Sequence, residues 1–540
     1  MTLMSEALEH HRLRAPREDG GKMVDPPLSG VGELVEHNVA AISAGYDYDV
    51  QGRALGELAR QARTELVMAA TSYTRSYRDV ADRVLAPTTR VFLAGHQPQL
   101  FHPGVWFKNF VLSAIAQQHD ADAVAVNLTI DSDTIKTASL RVPSGMPLEP
   151  RVESVPFDRP SAEIPYEERA IADRECLASF GNRATSVIRQ LVPNPLVREF
   201  WPLVVERAKE CDNLGQCIAQ ARHQQEGLWG AQTLEIPQSQ VCSLPAFYWF
   251  TCHLLAHLPR LWEQYNSSVA QYRRANHVRS TAHPVPDLAI EDDWLEAPFW
   301  IWDRGNPHRR RLFVRQQGDE ILLSDRQSLE HSLRLSPETD ATRASEQLAE
   351  LATHGIRLRT RALITTLFAR LFLGDVFLHG IGGAKYDQVT DAIMEGFFGL
   401  KPPGYMTATA TLRLPIAREQ VTPDDARRVD HQLRELAYHP ERSIDATADG
   451  GVDALIQEKQ QWIKTAPSIE NAKQRCRKIH EVNERLQPWV QSQRQQLLRE
   501  REQMAETLRV EGLLASREFA FCLFPTEPLK RLMEVPPIGK

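Results

Sequence analysis

The chain has 540 residues, 42% hydrophobic and 25% charged, with a formal net charge of −7. That length suggests about three structural units and a core large enough to need no cross-links. The acidic balance excludes a dedicated nucleic-acid binder, whose affinity requires a basic field.

Residues 1–28 are polar and read as a disordered tail with no signal peptide. No run of about 18 apolar residues occurs, so no membrane span is expected. The seven cysteines lack C-x-x-C spacing and read as reduced thiols of a cytoplasmic protein, most of them small core residues.

Residues 30–84 carry apolar side chains at helical spacing (Leu55, Leu58, Ala59, Ala62, Leu66, Val67). A strand at Val91–Ala94 breaks at Gly95-His96-Gln97-Pro98, and a helix follows from Pro103-Gly104 to about Gln118. Ala123–Ile130 reads as a buried strand ending in Asp131-Ser132-Asp133. Strand, helix and strand in this order predict a βαβ unit of a parallel sheet.

Residues 145–240 are mixed and 244–275 helical and aromatic-rich. Strand candidates follow at Phe299–Trp302, Leu312–Val314 and Ile321–Leu323. The basic run His308–Arg311 beside them reads as a solvated face. Ser345–Phe372 is expected to be helical, Val376–Leu378 a strand, His379–Gly383 a glycine loop and Tyr386–Phe398 a helix. Residues 406–413 alternate as a strand does. From Pro423 the chain is helical and charged, read as a hairpin, partly coiled-coil-like, interrupted at Pro467 and Pro488.

Three polar clusters each follow a predicted strand, and in open parallel sheets ligands bind beyond the carboxyl ends of the strands. The first cluster is Gly95, His96 and Gln97, with His102 and Lys108 downstream. Its helix start offers free N–H groups to an anion, and His96 is a candidate acid or base. In the second cluster, Asp131 and Asp133 could orient or deprotonate an amine, or bind a ribose or Mg²⁺. The third cluster comprises His379, Gly380, Gly382, Gly383 and Lys385, a second anion cradle. It matches neither standard nucleotide fingerprint. No zinc spacing and no G-x-S-x-G pattern is present, so no metal site is expected.

The order of these motifs resembles the bacillithiol-biosynthesis cysteine-adding enzymes, the BshC family. The resemblance rests on AGHQPQLFHPGVWFKNFVLSAIA, VAVNLTIDSDTIKTASL and ITTLFARLFLGDVFLHGIGGAKYDQVTDAIMEGFFGLKPP, followed by a long C-terminal helical hairpin. It covers about residues 90–135 and 360–540. It implies an α/β fold with a Rossmann-like, nucleotidyltransferase-type parallel-sheet core, helical connecting segments and a coiled coil that pairs two subunits. The division expected is a core over 29–422, with a mixed insert at about 145–340, and a helical hairpin over 423–540 that returns to the core. The implied activity is that of a ligase or transferase joining cysteine to the amine of a sugar-derived metabolite, with Gly95, His96, Gln97, Asp131, Asp133, Gly382 and Gly383 lining the pocket. This chain departs from the family at Ser132, where the family's acidic cluster carries a histidine, and at Ala384-Lys385, where the family continues Pro-Gly-Glu.

His96, Asp131 and Asp133 are therefore the expected catalytic residues. The others would hold a small-molecule substrate or a nucleotide, the cofactor that the reading leaves open. Two alternatives stay open: a non-catalytic relative that binds a nucleotide or metabolite, and a WbqC-like transferase of polysaccharide synthesis. Homodimerisation through the C-terminal helices is expected by resemblance alone.

Overall fold

The computed structural model describes residues 13–81, 85–147, 149–416, 423–444, 451–466, 468 and 471–537. The chain divides into two compact units. One holds the described residues up to Val142, Val152–Leu414 and the chain from Arg517 on; the other holds Pro143–Arg151 and Pro415–Ser516. Its strands are β1 Lys22–Asp25, β2 Val91–His96, β3 Val124–Thr129, β4 Ser139–Met146, β5 Glu149–Pro156, β6 Leu234–Pro237, β7 Ile290–Glu291, β8 Trp294–Asp303, β9 Asn306–Gln317, β10 Glu320–Ser324, β11 Glu330–Arg334, β12 Ile356–Thr360, β13 Val376–His379 and β14 Met406–Ala410.

The first unit is built on a six-stranded sheet in the order β1-β14-β13-β2-β3-β6. Five of these strands are parallel, and β1 runs antiparallel to β14. Taken in chain order, the parallel strands lie third, second, first, fourth, fifth across the sheet. The winding therefore reverses between β2 and β13.

The strands are buried on both faces, as a parallel sheet requires. Val91 and Leu93 join the core beneath the Leu55–Arg75 helix, together with Leu58, Ala62 and Leu66. Phe92, one residue out of phase, faces the opposite way and meets His119 of the Pro103–His119 helix with ring centroids 5.4 Å apart. The alternation of two along the strand and the 3.6 spacing of each helix supply both layers.

A second sheet, β11-β10-β9-β8-β12 with β7 beside β8, is antiparallel. It takes in the three strand candidates read from sequence. It also takes a segment read as helix: the 345–372 stretch is broken by β12. Gly355, at φ +88°, ends the Thr342–Thr353 helix in the left-handed region. Ile356–Thr360 then pairs with β8, a long-range partner that local spacing does not reveal.

Two more readings need correction. Lys22–Asp25, assigned to a disordered tail, is the edge strand β1 held along β14; residues 1–12 lie outside the described residues. His379–Gly383 is not a loop, because Gly380 is the N-cap and Ile381–Ile393 is already helix.

In the second unit, the Pro423–Tyr438 and Gly451–Lys464 helices both pack on the Ala472–Leu514 helix, so three helices stand where a two-helix hairpin was expected. Val452, Leu455, Val482 and Leu486 form their small core. Pro488 does not interrupt the long helix. A proline inside a helix costs about 3 kcal/mol, and Leu486 and Val490, both fully buried on either side of it, supply packing that offsets this. Pro467 lies outside the described residues. No described helix is long and apolar enough to cross a membrane. All seven cysteines are free, and Cys217, Cys242, Cys252 and Cys522 are buried.

Asp375, 2% exposed, joins β13 to β2. Its carboxylate accepts the Val91 N–H (2.8 Å) and pairs with Arg63 (3.0 Å). Replacing it by alanine strands both partners, and Asp375→Ala should destabilise the chain by about 3 kcal/mol. Urea unfolding should show this as a lower midpoint with an unchanged slope.

Candidate functional site

A cleft of about 470 Å³ opens where the winding reverses, at the carboxyl ends of β2 and β13. Gly95, His96, Gln97, His102 and Lys108 line it from one side, and His379, Gly380, Gly382 and Gly383 from the other. Nine of the twelve sequence-predicted residues therefore meet in one place, brought together by the pairing of β13 with β2. The other three lie elsewhere.

Asp131 is turned to a neighbouring cavity, where its carboxylate accepts the N–H (2.9 Å) and hydroxyl (2.5 Å) of Ser239. Ile130, next to it in the chain, faces the cleft instead. Asp133 stands behind the rim, accepting from Gln97 Nε2 (3.1 Å) and paired with Arg309 (3.2 Å). Lys385 leaves the cleft because the segment is helical: it projects into a separate cavity with Asp25 and His283. The basic run is a solvated face only at His308 and Arg311, which are exposed, whereas Arg309 holds Asp133 and the Arg310 side chain, 10% exposed, is paired with Asp325.

Two helix N-termini point into the cleft, those of Pro103–His119 and Ile381–Ile393. Their positive dipole ends favour an anion. In the first helix, however, Pro103 has no N–H and His102 accepts those of Gly104, Val105 and Trp106, so the N–H groups at the start of the second are the ones turned to a ligand. His102 caps the first helix, its Nδ1 accepting the Gly104 N–H at 3.1 Å. Gly104 is required by close approach: a Cβ there would lie 2.1 Å from the Ala410 carbonyl and 2.8 Å from Arg517 Nη2. Arg517 adds a guanidinium to the lining, donating to Thr409 (3.1 Å) and Thr411 (3.2 Å).

Lys108, 1% exposed, donates to the Gly95 carbonyl at 2.5 Å. Burial and the nearby Arg222 lower its ammonium to about 7. Burial and Lys108 likewise hold His96 down at about 3, so its imidazole is neutral at physiological pH. The ring rests against Phe101, and its Nδ1 lies 3.2 Å from the Gln97 carbonyl. His96 can therefore orient a ligand but is a poor proton acceptor.

His379 is arranged differently. Its Nε2 lies 2.9 Å from Asp387 Oδ2. A carboxylate there fixes the tautomer, with the proton on Nε2 and the lone pair on Nδ1. Asp387 also accepts from Arg370 (2.6 Å) and the Thr366 hydroxyl (2.7 Å). Although burial opposes it, Arg370 and His379 hold this carboxyl well below the usual carboxylate range. Nδ1 faces Gly383, where a Cβ would come within 2.7 Å, so the glycine leaves the ring its place. The result is an imidazole oriented by a buried acid, the arrangement general-base catalysis uses; burial lowers its pKa from the ordinary histidine value, and Asp387 opposes that lowering. Asp387 stands two residues beyond the third cluster read from sequence, but Arg370 and Arg517 had no local signal. Arg370 sits in an apolar helix, and Arg517 comes from the far end of the chain.

Among the described residues no group of three or more His, Cys, Asp or Glu side chains is gathered as metal ligands. No protein-family model matches the chain, and no curated protein matches it.

An anion that relies on Lys108 should bind best when that ammonium is charged. Sulfate, whose own charge is constant near neutrality, should bind tightest below pH 7 and weaken as pH rises past about 7, where Lys108 loses its proton. Titration calorimetry between pH 6 and 8.5 checks this, and Lys108→Met should remove the inflection and weaken binding about tenfold.

Proposed function

We propose that this chain is an enzyme of the ligase or transferase class, working from a Rossmann-like core and forming a C–N bond. The acyl donor is an activated amino acid, cysteine-like by resemblance, and the acceptor is the amine of a small, sugar-derived metabolite. The observation that carries this reading is the His379–Asp387 pair facing a cleft ringed by two helix N-termini and Lys108. The strand order also agrees with the doubly wound arrangement, whose ligands sit where the order reverses.

In this reading the amine nitrogen attacks the acyl carbon and the C–N bond forms. The activating group, a phosphate or nucleotidyl ester, leaves with its electron pair, and the nitrogen's proton passes to His379 Nδ1. The N–H groups of the Ile381–Ile393 helix and the Lys108 ammonium stabilise the charge that develops on oxygen and on the departing group. Neutral His96 and Gln97 orient the substrate from the β2 side. Pairing of two subunits through the 43-residue Ala472–Leu514 helix belongs to the same reading, supported by Trp489, 43% exposed on it.

A second reading, a non-catalytic relative that binds an anionic metabolite, is favoured by one observation: Asp131, the residue expected to handle an amine, is bound to Ser239 outside the cleft. A mass-spectrometric search for products, with ATP, amino acids and amino sugars supplied together, separates the two. The enzymatic reading expects an amide product. It also expects His379→Gln to cut its formation about a hundredfold or more while sulfate binding persists. Sulfate binding without any product, or unchanged turnover in His379→Gln, overturns it.

A further inference from the structure

Beyond the β3 turn from the cleft lies a polar cavity of about 220 Å³ at the carboxyl ends of β3 and β6. Residue alternation separates the two spaces, with Ile130 facing the cleft and Asp131 this cavity. The cavity's polar groups are of two kinds. Glu167 is bound through both oxygens to Arg359 (2.9 and 2.7 Å). Glu168 accepts from Trp302 Nε1 (3.1 Å) and lies 3.6 Å from Arg357. Both carboxylates already have a cation.

Asp131 has none of its own. It is 8% exposed, and its oxygens meet two neutral donors, the N–H and hydroxyl of Ser239. Beside it, Thr129 is 3% exposed and its Oγ1 has no hydrogen-bond partner, although it lines the same cavity. A buried hydroxyl left unpaired is destabilising, so a group that satisfies it binds with that advantage. The Tyr73 hydroxyl, which accepts from Gln220 Nε2 at 3.3 Å, completes the wall. A buried carboxylate with no cation bound to it and an unpaired hydroxyl on one wall suit a donor that also brings positive charge. A primary ammonium supplies three N–H donors and that charge.

We propose that this cavity is a second small-molecule site, separate from the cleft, that binds a primary ammonium group on Asp131 and Thr129. The proposal does not rest on the reading of the cleft. The groups facing Asp131 are Ser239 and Glu167 with its Arg359, and the cavity is also lined by Tyr73, Glu168, Arg357 and Arg304. Burial, with Glu167 beside it, pushes the Asp131 carboxyl up to about 7. An ammonium stabilises the ionised form, so binding below pH 7 releases a proton.

Ethanolammonium is a suitable probe and ethylene glycol its neutral counterpart, in a buffer free of Tris, itself a primary ammonium. Saturation-transfer NMR on the full chain should show saturable binding of ethanolammonium and none of ethylene glycol. Asp131→Asn should weaken binding tenfold or more. Thr129→Val, nearly isosteric and expected to keep the wild-type melting temperature, should weaken it several-fold. Sulfate, the probe of the cleft, should leave the affinity unchanged. Absence of saturable binding, equal binding of the glycol, equal affinity in both variants, or displacement by sulfate would each overturn the proposal.

Discussion

The parallel pairing of β13 with β2 is the constraint from which the site follows. These strands are far apart in sequence yet adjacent in the sheet, and Asp375 closes their amino ends by accepting from Val91 and Arg63. From β2 the chain proceeds to β3 on one side, and from β13 to β14 on the other. The connections leave in opposite directions, so a crevice must open between the two carboxyl ends. Both helices that follow these strands begin at that crevice. The convergence of two positive helix ends on the cleft is thus a property of the winding before any side chain is considered.

Beneath the cleft lies a layer of buried charge. Arg222 is bonded to Glu226 (2.5 Å) and to Glu235, and all three are buried. Trp106 and Asn109 donate to Glu226, at 2.8 and 2.7 Å, and Asn127 donates to Glu235 at 2.9 Å. Such a network adds little net stability but makes any partial loss costly. It also acts on the cleft, because Arg222 is one of the charges that lower the Lys108 ammonium and keep His96 neutral. His96 and His379 therefore differ by position. His96 faces cations and stays an uncharged contact, whereas His379 is oriented by Asp387, which opposes the lowering that burial imposes on its pKa.

The same turn that shapes the cleft separates it from the cavity beyond. Strand alternation sends Ile130 one way and Thr129 and Asp131 into the polar space on the other side. Asp133, further along, reaches back to the rim through Gln97. Two carboxylates that look equivalent in sequence thus have unrelated surroundings, one bound to Ser239 and the other to Arg309.

From sequence alone, the hydrophobic periods determined β2, β3, β13 and β14 and the helices after β2 and β13, because each of those signals is local. They also determined that the polar residues at the strand ends, His96 and His379 among them, would share one rim if the strands shared one sheet. What the tertiary structure decided is everything that depends on a partner distant in sequence. It made β12 a strand through pairing with β8, and it brought Arg370 to Asp387 and Arg517 to the cleft. It also turned Asp131 and Lys385 away, since a side chain's direction follows the phase of its strand or helix. A one-residue change in that phase, invisible in composition or motif, moves a residue from one cavity to the next.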